Sequence, residues 1–268
     1  MSKNRKQTIW RVILGLLLAG VLVTAYILGS GTRKELCCNN IHITIEDSLS
    51  TPYLTAESIR GYLAEGYGNL VGRAADSLDF KKIETILNSK AGVLNSDVYI
   101  TNKGTLVISI EQRKPIIRFK ADTYEFYCDK DGHLLPLREN FDREVLIVDG
   151  HIPIDTTDCQ KGRPADPEAI KWLDQILTIS NHINSSDLWK DKIAQISHKE
   201  TGELIIKPKD GKEIFLFGDF EDIQGKFEKM EIYYERIVAV NEEGAYNVVD
   251  LRFNKQIVCK NTERKNKK

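Results

Sequence analysis

Thr105-Leu106-Val107-Ile108-Ser109-Ile110-Glu111-Gln112-Arg113-Lys114-Pro115-Ile116-Ile117-Arg118-Phe119 is the stretch on which the fold turns. Leu106, Ile108 and Ile110 face one way and Thr105, Val107 and Ser109 the other, which is the period-two pattern of a half-buried strand. Pro115 has no N–H to give a ladder, so it stops the pairing and hands the chain to a second unit. Upstream, Val93–Ile100 reads as the partner strand, joined through Asn102-Lys103-Gly104 as a hairpin. Before that, Asp79 caps a helix in which Phe80, Ile83 and Leu87 recur at the three-and-four spacing. Thr55 is the N-cap of an earlier helix whose Ile59, Tyr62 and Leu63 share a face. Ile41, Ile43 and Ile45 alternate with His42 and Thr44, a strand with His42 toward solvent. The order strand, helix, helix, strand, strand lets two helices cover one face of a small sheet and leaves the other open.

Further upstream, Val12–Leu28 reads VILGLLLAGVLVTAYIL, with no charge between Arg11 and Arg33. About 18–20 such residues in a helix cross the ~30 Å core of a bilayer. A cleavable signal peptide would have an apolar region of about 7–15 residues and a small-residue cleavage site. This run is longer and Leu28-Gly29-Ser30-Gly31 matches such a site poorly, so an uncleaved anchor is expected. Lys3, Arg5, Lys6 and Arg11 hold the amino terminus in the cytoplasm, although Arg33 and Lys34 follow the run. The expected plan is a cytoplasmic tail over 1–11, a transmembrane helix over 12–30 and a stalk over 31–40, with everything beyond the anchor extracytoplasmic.

Downstream of Pro115, Tyr124–Tyr127 and His133–Leu137 flank the turn Asp129-Lys130-Asp131-Gly132. The twelfth position from Asp129 is Asn140 and not Glu, so this is no calcium loop. Glu144–Val148 is a short apolar strand, and a loop with Pro153, Gly162 and Pro164 leads to Asp166-Pro167, a cap with proline at the first helical position. Ile170, Leu173, Ile176, Leu177 and Ile183 make that helix amphipathic. Strands follow over Ile193–His198, Glu203–Lys207 and Lys212–Phe217, turning at Thr201-Gly202 and Asp210-Gly211. Ile223, Phe227, Met230, Tyr234 and Ile237 then mark a further helix packed on the sheet. Tyr246–Phe253 and Asn254–Lys260 form a terminal strand hairpin.

Composition is that of a folded protein: of 268 residues, 29% are charged and 41% hydrophobic, and the net charge of −1 gives no field favouring nucleic acid. The stretch 261–268 is basic and unpatterned, a disordered tail. Five cysteines, at 37, 38, 128, 159 and 259, show no zinc spacing. Cys37 and Cys38, adjacent in the stalk, are placed to cross-link two copies; the spacing of the other three fixes no pairing. There is no G-x-S-x-G, H-E-x-x-H, Walker loop or dinucleotide fingerprint, and the five histidines are scattered. No catalytic, cofactor-binding or metal-binding residue is expected.

The first module's order resembles a POTRA domain, and more specifically the one that follows the anchor in the FtsQ/DivIB cell-division family. Members leave the last POTRA strand through an E-x-R-x-P-x-A/I-x-W/F-like run, filled here by Glu111, Arg113, Pro115, Ile117 and Phe119. Val249-Asp250-Leu251-Arg252-Phe253 is similar to the V/I-D-L/M-R-Y/F signature near the end of the family's β domain. Where many members carry an aromatic residue near the end of the last strand, this chain has Cys259-Lys260. The resemblance implies an α+β protein: a transmembrane helix, a POTRA domain (βααββ) over 41–116, and a mixed or antiparallel β domain with flanking helices over 117–260. It implies a divisome scaffold in the cell inner membrane at the septum, single-pass and not an enzyme. Its last strands would bind FtsB-like and FtsL-like proteins, with FtsK-like contacts elsewhere. Carried onto this chain, the candidate edge is Val248–Phe253 with Gln256–Lys260, and the partner-binding residues are Val248, Val249, Asp250, Leu251, Arg252, Phe253, Gln256, Ile257 and Val258. Asp250 and Arg252 would make polar contacts or, alternatively, an ion pair that shapes the hairpin, and Phe253 would be an aromatic anchor. Two readings of other classes are an export or assembly component bearing a POTRA module, and an anchored hydrolase whose site only folding assembles.

Overall fold

The computed structural model describes residues 10, 15–25, 36–46, 52–121, 123–138, 141–240 and 246–261. Of the apolar run, 15–25 are helical and exposed; the rest of 12–30 lies outside the described residues, as do the tail 1–11 apart from Trp10 and the segment 262–268. Among the described residues no helix is long and apolar enough to cross a membrane.

The first module runs β1 (Asn40–Glu46), α1 (Ala56–Gly66), α2 (Phe80–Asn88), β2 (Val93–Ile100) and β3 (Thr105–Gln112). Thr55 and Ser58 form a capping box at α1, and Asp79 accepts from the Lys82 N–H at α2, so each helix starts where its side-chain oxygen replaces a missing backbone acceptor. The sheet order is β1-β3-β2, with β1 parallel and β2 antiparallel to the central strand. Leu106, Ile108 and Ile110 are fully buried against Ile59, Leu63, Ile83 and Leu87 of the helices. Each such side chain contributes on the order of 1.5–3 kcal/mol by leaving water. His42, Thr44, Asp97 and Tyr99 stay exposed on the strands' other side.

The expected stalk needs correcting from Leu36 onward. The Cys38 N–H bonds the Arg73 carbonyl, the Ala75 N–H bonds the Leu36 carbonyl and the Asn39 N–H bonds the Gly104 carbonyl. These bonds lay the segment against the module, and Cys38 is wholly buried in its core. It therefore cannot cross-link two copies.

The second module is built on one nine-stranded mixed sheet, β12-β11-β10-β9-β8-β7-β4-β5-β6. Its strands are β4 (Pro115–Lys120), β5 (Glu125–Asp129), β6 (Leu134–Pro136), β7 (Leu146–Gly150), β8 (Ile193–His198), β9 (Leu204–Pro208), β10 (Ile214–Gly218), β11 (Val248–Asp250) and β12 (Val258–Lys260). The pairs β4–β7, β7–β8 and β10–β11 are parallel, and helices make two of these crossings. Between β7 and β8 lie α3 (Thr156–Lys161) and α4 (Pro167–Ser185); between β10 and β11 lies α5 (Ile223–Ile232), which passes into a π-helical turn over Tyr233–Val238. Six-residue α3 occupies what the sequence presents as loop. Asp155 caps it, and Gly162, at φ +80°, ends it where a Cβ would strike the His133 ring.

The two modules share a core. Tyr127, Leu135 and Phe141 of the second are buried in the cluster of the first, and Tyr53 meets Phe141 edge-on at 5.1 Å. Tyr53 donates to the Pro136 carbonyl at 2.7 Å, and Arg138 reaches the Tyr62 hydroxyl. Beside them Arg113 Nη1 lies 2.8 Å from Asp129 Oδ2, with side chains only 15% and 4% exposed. The other oxygen of Asp129 accepts from the Asp131 and His133 N–H groups and so ties its own turn. The arginine of the E-x-R-x-P run is thus the cation that neutralises the turn carboxylate across the boundary.

Candidate partner-binding edge

The last two strands divide the predicted residues between interior and surface. β11 is paired on both sides, parallel to β10 with Phe215 opposite Val249 and antiparallel to β12 with Val249 opposite Cys259. Val249, Asp250 and Leu251 are buried and Val248 is half-buried. Arg252, Phe253 and Gln256 are exposed, while Ile257 and Val258 are half-buried. The segment Val248–Phe253 therefore offers no free ladder over β11. The open edge is β12, which has no strand on its outer side among the described residues.

Hydrogen-bond alternation identifies which groups of β12 face outward. The Ile214 N–H bonds the Asn247 carbonyl and the Leu251 N–H bonds the Leu216 carbonyl. Val249, between them, directs both its main-chain groups at β10. Val248 and Asp250 then point at β12, where they meet Lys260 and Val258. Cys259 is left with its N–H and C=O on the far side, because neighbouring residues in a ladder alternate. Its side chain, with that of Ile257, packs against the core instead, and burial pushes the thiol's pKa up.

Asp250 and Arg252 form an ion pair within one segment rather than across the hairpin. Arg252 Nε and Nη2 reach the two Asp250 oxygens at 2.9 and 2.7 Å, and Nη1 reaches Glu203 at 2.6 Å. The guanidinium holds the Asp250 carboxyl below the usual carboxylate range, and its two acidic partners raise its own pKa. Both groups are committed to holding the chain as it leaves β11. Lys229 of α5 assists by donating to the Leu251 and Phe253 carbonyls, each at 2.9 Å. This leaves Phe253, 47% exposed, as the large apolar side chain beside the hairpin. Lys229 and Glu203 carry no sequence signal of their own, since only folding brings them to this hairpin.

A family model described as "FtsQ/DivIB, C-terminal related" matches residues 114–260, more than half of the chain. The chain belongs to the FtsQ/DivIB family. A POTRA-like domain matches residues 36–111, which joins FtsQ/DivIB identity to the β1–β3 module described above. No curated protein matches the chain. Membership makes it a cell-division related protein whose domains are of non-catalytic kinds and whose family works through protein–protein interactions at the division site. Among the described residues no group of three or more His, Cys, Asp or Glu side chains could hold a metal ion.

Proposed function

We propose that the protein is a membrane-anchored division scaffold that links other division proteins through its extracytoplasmic modules. In this reading an FtsB-like partner, with its FtsL-like companion, adds a strand to β12. The observation that carries it is the outward N–H and C=O of Cys259 on an edge that no strand among the described residues covers, with exposed Phe253 in the same hairpin. Main-chain bonds would supply affinity, and Phe253 would supply an aromatic anchor. The apolar run over 12–30 serves as the anchor, at the inner membrane and septum.

Proline at Cys259 tests the reading, because it deletes an N–H that faces away from β11. Full-length protein carrying Cys259→Pro should keep its melting temperature and lose co-purification of the FtsB-like and FtsL-like proteins. Val249→Pro serves as the comparator: its N–H belongs to the β10 ladder, so this variant should unfold the second module. Retention of both partners by Cys259→Pro would end the strand-addition reading.

A further inference from the structure

The chain enters the first module between two turns. The Ala75 N–H bonds the Leu36 carbonyl at 2.6 Å and the Gly72 N–H bonds the Cys38 carbonyl at 2.7 Å, which ties the entering segment to the loop after α1. Asn39 Nδ2 reaches the Lys103 carbonyl at 3.3 Å, which ties it to the β2–β3 turn as well. Leu28, the last residue of the apolar run, precedes Leu36 by eight residues. At no more than about 3.6 Å each, they span less than about 30 Å. These two turns are therefore the part of the module tethered closest, along the chain, to that run.

Their surface suits a charged lipid interface. Val71 is 45% exposed at the tip of the loop, with Arg73 exposed two residues on. The half-buried Tyr67 ring gathers Arg73 and Lys82, whose charged ends lie 5.6 and 5.5 Å from its centroid, and its hydroxyl is fixed by the Asp79 N–H at 2.8 Å. Over 67–82 and Lys103, four cations (Arg73, Lys81, Lys82, Lys103) stand against two carboxylates, Asp76 and Asp79. None of the four forms an ion pair with a described residue, and Asp79 is engaged in capping α2. Basic side chains next to an anchor are drawn to anionic headgroups, and an apolar side chain beside them fits the boundary below.

We infer that the loop Asn69–Arg73 and the Lys103 turn rest on an anionic phospholipid surface, with Val71 at the acyl boundary and Arg73, Lys82 and Lys103 among the phosphates. This rests on the reading of 12–30 as an anchor. Amide exchange of the full chain tests it, in nanodiscs of phosphatidylcholine alone and with 30% phosphatidylglycerol. Exchange over 69–73 should be at least about fivefold slower with phosphatidylglycerol, the factor that one Lys or Arg contributes near such a surface. The double variant Arg73→Gln/Lys103→Gln should erase the difference and leave exchange over β2 and β3 as in wild type. Lys161→Gln/Lys171→Gln, which removes two exposed cations from the second module, should preserve it. Equal exchange in the two lipids would overturn the inference and leave the patch to a protein partner. A difference that survives Arg73→Gln/Lys103→Gln, or one lost equally in Lys161→Gln/Lys171→Gln, would overturn it too. Chain that elutes apart from the discs would end the anchor reading and this one with it, whereas embedded chain with equal exchange ends this one alone.

Discussion

Replacing Arg113 by methionine tests what holds the two modules together. The substitution keeps much of the aliphatic stem and removes the guanidinium that faces Asp129 at 2.8 Å. Removing one partner of a buried pair costs about 3–5 kcal/mol. The lower end applies here, because the Asp129 carboxylate keeps the Asp131 and His133 N–H bonds. Arg113 Nε is itself buried without a partner, and deleting it returns about 1 kcal/mol. The net expectation is a loss of about 2 kcal/mol. Urea denaturation of the full chain in micelles, followed by the fluorescence of buried Trp172 and Trp189, would measure it. Asp129→Asn keeps an oxygen for the turn while discarding the charge. In the double variant most of the loss should therefore disappear, with a coupling energy of about 1.5 kcal/mol or more. A loss below about 0.5 kcal/mol, or a double variant whose cost equals the sum of the two singles, would refute the reasoning.

Two further outcomes follow from groups near the sheet. Gly150 sits at φ +92°, where a Cβ would collide with the His198 carbonyl oxygen, so Gly150→Ala should cost on the order of 2 kcal/mol in the same assay. Asp250→Asn should cost about 1.5 kcal/mol at pH 7 through weaker bonds to Arg252. The Asp250 carboxyl is depressed in the folded state, so its contribution is present above its unfolded pKa of about 3.9 and is lost as pH falls through the folded value. Wild type and Asp250→Asn should therefore differ undiminished at neutral pH and converge in acid, only below the unfolded value, as the folded carboxyl takes up its proton; a gap that never narrows before acid unfolding, or one that closes already above about pH 5, would assign the loss to another cause.

Much of the fold was legible because its signals are local. Thr55, Asp79 and Asp166 are short side chains that accept backbone bonds within three residues, and the structure places each at a helix start. Asn102-Lys103-Gly104 closes the β2–β3 hairpin, with Gly104 at positive φ. Other features depend on distant chain. α3 carries one buried side chain, Cys159, too few to print a helical period. The π turn at Tyr233–Val238 bends a stripe that reads as plain helix, with Tyr233 reaching the Tyr246 carbonyl and Tyr234 bonding Glu213 at 2.6 Å. The terminal hairpin was visible, but which of its strands lies outside was not. The crossing through α5 seats β11 beside β10 and leaves β12 as the rim, and nothing in Val249-Asp250-Leu251 encodes that choice. Cys259 falls within the edge expected from the sequence, but its particular part in it is not encoded there for a related reason: what it offers is backbone, which has no side-chain signature.

The seam where Tyr127, Leu135 and Phe141 enter the first module's interior has a mechanical meaning. Neither half can swivel against the other without drawing those side chains into water. A chain captured along β12 would thus be held at a set bearing to the β1-β3-β2 sheet, and a pull on one would reach the other with no slack joint between them.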